Sequence, residues 1–308
     1  MKLENNIKNK NKIVIWGHTL SKGHTHSFIH YGFYKAFSHL GYDVQWLENS
    51  FENSKINLDD TIIISEHQEI GHLPIQKNAK YLIHNLKQDI EFVEGENIFN
   101  FLIYHEEYKN WGNVKQVEDF FWYDEKTKTP IIIWATDLLP YEIDKMSPIL
   151  YDDIKSDVNF VGTIQGQNLI KFANICANNG KNFYNYGGYT GIPQNNFIRF
   201  YDNEKSIEFI RNSYLSFDIR EQQHFRNGYI SCRIFKNISY GMWTGTNSIK
   251  MNKFFPEHLT IESDLNKLYD DLVYTYINCS DLKIKNSMNY VKENHTYLNR
   301  INSLFSIL

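Results

Sequence analysis

The chain has 308 residues, 42% of them hydrophobic and 16% aromatic, with a formal net charge of −4. That length accommodates one large core or two separate ones, and the near-balanced charge supplies no global field for DNA or RNA, so no nucleic-acid partner is expected. No stretch approaches the ~18 consecutive apolar residues of a membrane span, the three cysteines lack paired spacing, and the polar start MKLENNIKNKNK leads into no signal-peptide core, so a cytoplasmic location is expected.

In chain order, IVIW (13–16) is a short apolar run of strand type. A Gly/His/Ser-rich loop, GHTLSKGHTHS, follows, then an amphipathic helix ending at Gly41 and the strand YDVQWL. This β-loop-α-β order predicts a mononucleotide-binding type of unit with a parallel sheet. TIIISE (61–66), AKYLIHN (79–85), NFLIYH (100–105) and PIIIWATD (130–137) continue the strand series. The pattern restarts at VNFVGTI (158–164), followed by a helix ending at Gly180, the strand NFYNYGG, a helix NEKSIEFIRNS and the strand YLSFDIR. From Asp264 onward the chain is strongly helical. The expectation is a two-domain α/β protein, domains 1–155 and 156–288, with ligands at the carboxyl ends of the strands in an interdomain cleft.

The loop after the first strand and the helix behind it hold His18, His24, His26 and His30. A histidine with a pKa near neutrality suits removal of a hydroxyl proton, which makes His24 and His26 candidate general bases; polar loop histidines are the plainer reading, and His30 is expected to be structural. The H-x-H pair at 24 and 26 also raises zinc, but no Cys or carboxylate stands at typical ligand spacing, so no metal is expected. Glu66 and His67, at the end of another strand, are weaker candidates for the base, and Asp137 is expected to cap a turn.

The second half contains SCRIFKNISYGMWTGTNS (231–248). Arg233, Lys236, Asn237 and Tyr240 follow i, i+3, i+4, i+7 spacing and share one helix face, while Ile234 and Ile238 face a core. Ser231 is placed to cap the helix, Gly241 to end it, and Thr246, Asn247 and Ser248 return to the same side. Free first-turn amides beside two cations make a cradle for a nucleotide diphosphate; a solvated face followed by an ordinary turn is the alternative. Arg220, ending the strand YLSFDIR, is a second phosphate ligand or else a salt-bridge partner of Glu221 or a neighbour. The loop with Tyr189, Thr190 and Gly191 is either a surface loop or a candidate for packing on a nucleotide base.

The frame CRIFKNISYG resembles the R-x-F-E-x-x-x-x-G segment in the second domain of GT-B glycosyltransferases, notably the CgeB-like group 1 branch. HTYLNR (295–300) with its apolar tail resembles that branch's closing helix, and VNFVGTI sits where such proteins open their second domain. The resemblance covers residues 158–308, and over the first half it is topological. It implies two Rossmann-like domains with parallel sheets, a closing helix over 289–308, and sugar transfer from a nucleotide-diphosphate donor to a glycan or other hydroxyl acceptor. It also implies no resident cofactor and no metal, in keeping with the absence of any D-x-D pair. Where the family carries a glutamate for the donor ribose this chain has Lys236, which has no acceptor to offer and is expected on phosphate instead. A non-catalytic nucleotide-sugar or glycan-binding protein and a sugar-nucleotide epimerase are the alternatives.

Overall fold

The computed structural model describes residues 12–22, 25–85, 98–101, 114–118, 120–126, 129–151, 157–162, 166–186 and 203–305. The chain forms two compact units, one of residues 1–137 with 297–308 and one of residues 138–296.

In the first unit β1 (Lys12–Trp16), β2 (Asp43–Leu47), β3 (Thr61–Glu66), β4 (Lys80–His84) and β5 (Ile98–Phe101) form a parallel sheet in the order β2-β1-β3-β4-β5. Every residue of β3 is buried, as in a central strand covered on both faces, which is why IIIS reads as a continuous run instead of alternating. Strand order reverses between β1 and β3, so the loop after β1 and the end of β3 flank a topological switch point. Helix α1 (Thr25–His39) follows that loop and buries Ile29, Phe33, Ala36 and Phe37.

The expected strand over 130–137 is corrected by the structure. β6 (Val114–Glu118), β7 (Phe121–Asp124) and β8 (Thr129–Ile132) make an antiparallel meander, with Trp122 opposite Ile131 and Tyr123 opposite Pro130. β8 lies at the edge of this sheet, where a proline removes no internal ladder bond.

In the second unit α2 (Pro140–Ile143) precedes a parallel pair, β9 (Asp157–Val161) with β10 (Asn182–Tyr186), separated by α3 (Gln167–Asn178). Helix α4 (Asn203–Arg211) leads to a parallel sheet of β11 (Ser216–Asp218), β12 (Thr244–Thr246) and β13 (Leu259–Ile261) in that order. Tyr214 N–H donates to Asp157 O at 2.7 Å, joining the entry to β11 to β9. Helices α5 (Gln222–Arg226) and α6 (Cys232–Ser239) fill the β11–β12 connection, and α7 (Leu265–Asn278) and α8 (Asp281–Asn294) follow β13. Phe160, Phe172, Phe217, Leu268 and Leu272 are among the buried residues of one core.

Two boundaries differ from expectation. Leu138 and Ile143 belong to the second core and Ile149 N–H bonds Gly241 O, so the unit begins upstream of residue 156. In the turn there the Glu142 carboxylate takes the Leu139 N–H at 2.7 Å. The expected closing helix over 289–308 is interrupted at His295–Thr296: α8 ends, and α9 (Tyr297–Phe305) belongs to the first unit. There Tyr297 packs on Phe33 at 4.6 Å, Phe305 on Phe37 at 5.6 Å, and buried Arg300 donates to Ile133 O and Trp134 O. A Cβ on Gly32 would collide with the Tyr297 ring. Gly32→Ala is therefore expected to cost about 1–3 kcal/mol by overpacking, read as a lower urea midpoint at unchanged slope.

Candidate functional sites

In the second unit the ends of three parallel strands converge on one carboxylate. Asp218, the last residue of β11, is buried, and Arg220 Nε donates to its Oδ2 at 2.7 Å while Arg220 Nη2 bonds Oδ1. Arg233 Nη1 donates to the same Oδ1 at 2.7 Å, and Arg233 Nε donates to Val161 O, at the end of β9, at 3.1 Å. The Arg233 guanidinium also lies 4.3 Å from the Phe160 ring centre, and that of Arg220 lies 5.1 Å from Tyr229. Two cations on one anion leave one net positive charge in a place largely shielded from water.

Burial pushes the Asp218 carboxyl up, but Arg220 and Arg233 more than offset it and hold the carboxyl below its usual range. The guanidinium shifts differ in sign. Burial pulls Arg220 down, and its paired contact with Asp218 overcomes that and raises it. Burial also pulls Arg233 down, and there Asp218 is a weaker counterweight because the charge on Arg220 opposes it. Arg233 makes one bond to Asp218 where Arg220 makes two, so less of its fork is committed to that carboxylate.

The surrounding residues hold this arrangement in place. Asn247 Oδ1 accepts the Arg220 N–H at 2.7 Å and its Nδ2 donates to Arg220 O at 2.9 Å. Thr246 Oγ1 donates to Asp218 O and accepts the Ser248 N–H. Glu221, beside Arg220, accepts the Asn168 N–H at 2.8 Å and so caps α3. Gly162, with φ +145°, is in a conformation L side chains rarely adopt, and a Cβ there would strike the Arg233 guanidinium.

The sequence-predicted donor residues therefore divide. Arg220 and Arg233 meet at Asp218, and the salt-bridge partner of Arg220 is Asp218 and not Glu221. Thr246 and Asn247 are placed to position Arg220, and Ser248 follows them on the same turn. Lys236 and Asn237 lie on α6 at 7% and 3% exposure, with Asn237 Oδ1 buried, lacking a hydrogen bond and lining a small recess with Asn159, Ser216 and Arg233. Tyr240 is corrected: it ends α6 fully buried in the apolar core, because the face it shares with Arg233 turns inward at the helix end. Ser231 Oγ accepts the Arg233 N–H at 3.0 Å, so one first-turn amide expected to await an anion is used within the helix. Tyr189, Thr190 and Gly191 lie outside the described residues.

In the first unit the switch point carries a cluster of imidazoles around one carboxylate. Gly17 and His18 both have positive φ, +79° and +54°, a conformation that for histidine is uncommon and costs about 1 kcal/mol or more. This turn sets His18 Nε2 3.6 Å from both Glu66 Oε2 and Glu69 Oε1. His26, in the first turn of α1, places Nδ1 3.8 Å from Glu66 Oε2, and His67 contacts Glu66 Oε1. The Gln68 N–H donates to Glu66 Oε2 at 2.8 Å. Burial pushes the Glu66 carboxyl up, and His18, His26, Gln68 and His67 together reverse this and lower it.

Behind the cluster His30 bridges Gly17 O at 3.0 Å and His84 Nε2 at 3.1 Å, the structural role expected of it. Burial, reinforced by His26 and the other imidazoles, pushes His84 well below its ordinary value and keeps it neutral. His24 lies outside the described residues. His18, His26 and Glu66 each bring one potential ligand atom to within 4.8 Å of the others. Glu66, a weaker candidate in the sequence, is placed by register, since β3 pairs with β1 and ends beside the loop that follows β1.

No family model matches the sequence, and no curated protein does. Among solved structures, the chain is similar to an α-glucosyltransferase (AGT) in complex with UDP, at 9% identity and a TM-score of 0.67, over 97% of this chain and 99% of that one. It is similar to an α-glucosyltransferase in complex with UDP and a 13-mer DNA containing an HMU base, at 8% identity and a TM-score of 0.65, over 97% and 99%. Trehalose-6-phosphate synthase matches at 8% identity and a TM-score of 0.51, over 96% and 98%. The chain has the GT-B glycosyltransferase fold. The DNA complexes overturn the expectation that nucleic acid is excluded. Net charge is a sum over the whole surface, whereas phosphate contacts are made by local groups, so −4 overall carries no veto.

Proposed function

We propose that the chain transfers a sugar from a nucleotide-diphosphate donor, with UDP as the first nucleotide to test, to a hydroxyl acceptor. The observation that carries this reading is the buried Arg220–Asp218–Arg233 assembly at the strand ends of a GT-B fold. In glycosyl transfer the bond from the anomeric carbon to the diphosphate oxygen breaks, and negative charge builds on the departing diphosphate. Arg233 and Arg220 are oriented before the reaction, and such fixed cations in a water-poor site stabilise developing charge far more than they would in bulk solvent. On the donor side the guanidinium groups do what an ion does elsewhere. Lys236 and Asn237 are the nearby polar groups on α6 for the rest of the donor. The acceptor hydroxyl must lose its proton as it attacks, and that proton is assigned to the His18–His26–Glu66 cluster, in which His26 is a partly exposed member.

Purified full-length chain is expected to release UDP from a UDP-sugar when offered a hydroxyl acceptor, with duplex DNA carrying an HMU base among the acceptors. His26→Ala is expected to lower kcat about 10²–10⁴-fold while leaving UDP affinity essentially unchanged by calorimetry. Donor binding without transfer assigns a nucleotide-sugar-binding protein, and conversion of the donor sugar without acceptor assigns an epimerase. Absence of both binding and turnover across a nucleotide-sugar panel overturns the proposal.

A further inference from the structure

We propose that His18, His26 and Glu66 form a site for one divalent transition-metal ion of the zinc type in the first unit. Two imidazoles and one carboxylate are a donor set such ions favour, and three protein ligands leave a fourth position for water or a substrate oxygen.

The geometry gathers one potential ligand atom from each of the three side chains around a common point. Glu66 Oε2 stands 3.6 Å from His18 Nε2 and 3.8 Å from His26 Nδ1. Those separations exceed the ~2.7–3.2 Å of hydrogen bonds. They approach the roughly 3.3 Å between ligand atoms around a tetrahedral ion with bonds of ~2.0–2.1 Å. All three ligand atoms lie within 4.8 Å of one another, so side-chain rotations on the order of 1 Å bring them to those spacings.

Three different elements supply the ligands: the turn after β1, the first turn of α1 and the last residue of β3. The support behind them resembles that of a metal centre. His67 holds the other oxygen of Glu66, and the Gln68 N–H fixes the ligating one at 2.8 Å. Glu69 adds a second carboxylate 3.6 Å from His18 Nε2, so a doubly charged ion would be met by two negative charges. A Cβ on Gly17 would come within 2.6 Å of Glu69 Cγ, so that carboxylate reaches His18 only because position 17 lacks a side chain. His18 itself adopts its left-handed backbone to aim at this point. The expectation of no metal rested on carboxylate spacing along the chain; the parallel pairing of β1 and β3 supplies the missing ligand from a distance.

The role of the ion deepens the transferase reading. With the metal held by His18, His26 and Glu66, those groups would no longer take the proton themselves. An acceptor hydroxyl in the open position would have its pKa lowered and release its proton to solvent. The binding itself stands independently of that reading. The test is uptake of Co²⁺, and its displacement by Zn²⁺, on untagged full-length chain freed of metal by chelator. One Co²⁺ per chain is expected, with visible absorption bands of a four- or five-coordinate centre and a raised melting temperature. Glu66→Gln and His26→Gln are each expected to weaken uptake about tenfold or more. Circular dichroism shows that each variant is folded, and UDP affinity, reporting the other unit, is expected to be unchanged. His26→Gln alters a partly exposed side chain and keeps the test decisive if Glu66→Gln fails to fold. No saturable Co²⁺ uptake by the wild type, or wild-type uptake by a folded His26→Gln chain, overturns the site. Failure of donor turnover with intact Co²⁺ binding counts against the transferase reading alone.

Discussion

Replacing Arg233 by alanine is expected to reduce kcat/KM for transfer from the nucleotide sugar by about 10²–10³, roughly 3–4 kcal/mol of transition-state stabilisation. The side chain bonds Val161 O and Asp218 Oδ1 and lies over Phe160, so its cation is fixed before any ligand arrives. Arg233→Lys is expected to recover little. An ammonium keeps the charge but lacks the planar fork that reaches a carbonyl, a carboxylate and a ligand oxygen together. Initial rates with calorimetric UDP affinity check both substitutions. Wild-type UDP affinity in Arg233→Ala would remove this guanidinium from the donor site.

Asp218→Ala is expected to have the largest effect on stability, a loss of about 3–5 kcal/mol, because it leaves two buried guanidinium groups facing each other without their shared anion. The milder Asp218→Asn exposes the pH dependence. The folded-state pKa of Asp218 lies below its ordinary value, since the two arginines outweigh burial. Its contribution is therefore complete above the unfolded pKa of about 3.9 and is lost as pH falls through the lower folded value. Urea denaturation is expected to show the full difference between wild type and Asp218→Asn from neutral pH down to about 5, narrowing below about 4. A difference independent of pH would mean that the carboxylate charge is not what binds the two arginines.

Much of the architecture was legible because parallel sheets covered on both sides leave a plain mark. IVIW and TIIISE are apolar runs too short for helices, and each is followed by a loop or helix signal. The meander at 114–132 escaped notice because VKQVE is exposed over most of its length and carries no core-facing alternation. The helix interruption at His295 was hidden because HTYLNR continues a helical pattern, while the fold sends His295 among Phe235, Phe255 and Tyr290 and Tyr297 onto Phe33.

In the candidate sites the cationic partners were visible, Glu66 was a weaker candidate, and Asp218 was not visible. Arg220 and Arg233 announced themselves by helix face and strand end, but Asp218 is one acid in a strand, and only the approach of α6 gives it a second arginine. Glu66 likewise acquires its meaning from the neighbouring strand. Pairwise chemistry between distant residues is set by register, which local periodicity does not encode.

Helix α9 completes the first unit from beyond the second, so residues 138–296 are an insertion between two pieces of one body. During synthesis all of residues 138–296 are made before Tyr297 and Arg300. The earlier body must wait with Phe33, Phe37 and the Ile133–Trp134 carbonyls unmet until those last turns arrive. The first body thus cannot be completed until the whole of the second has been synthesised.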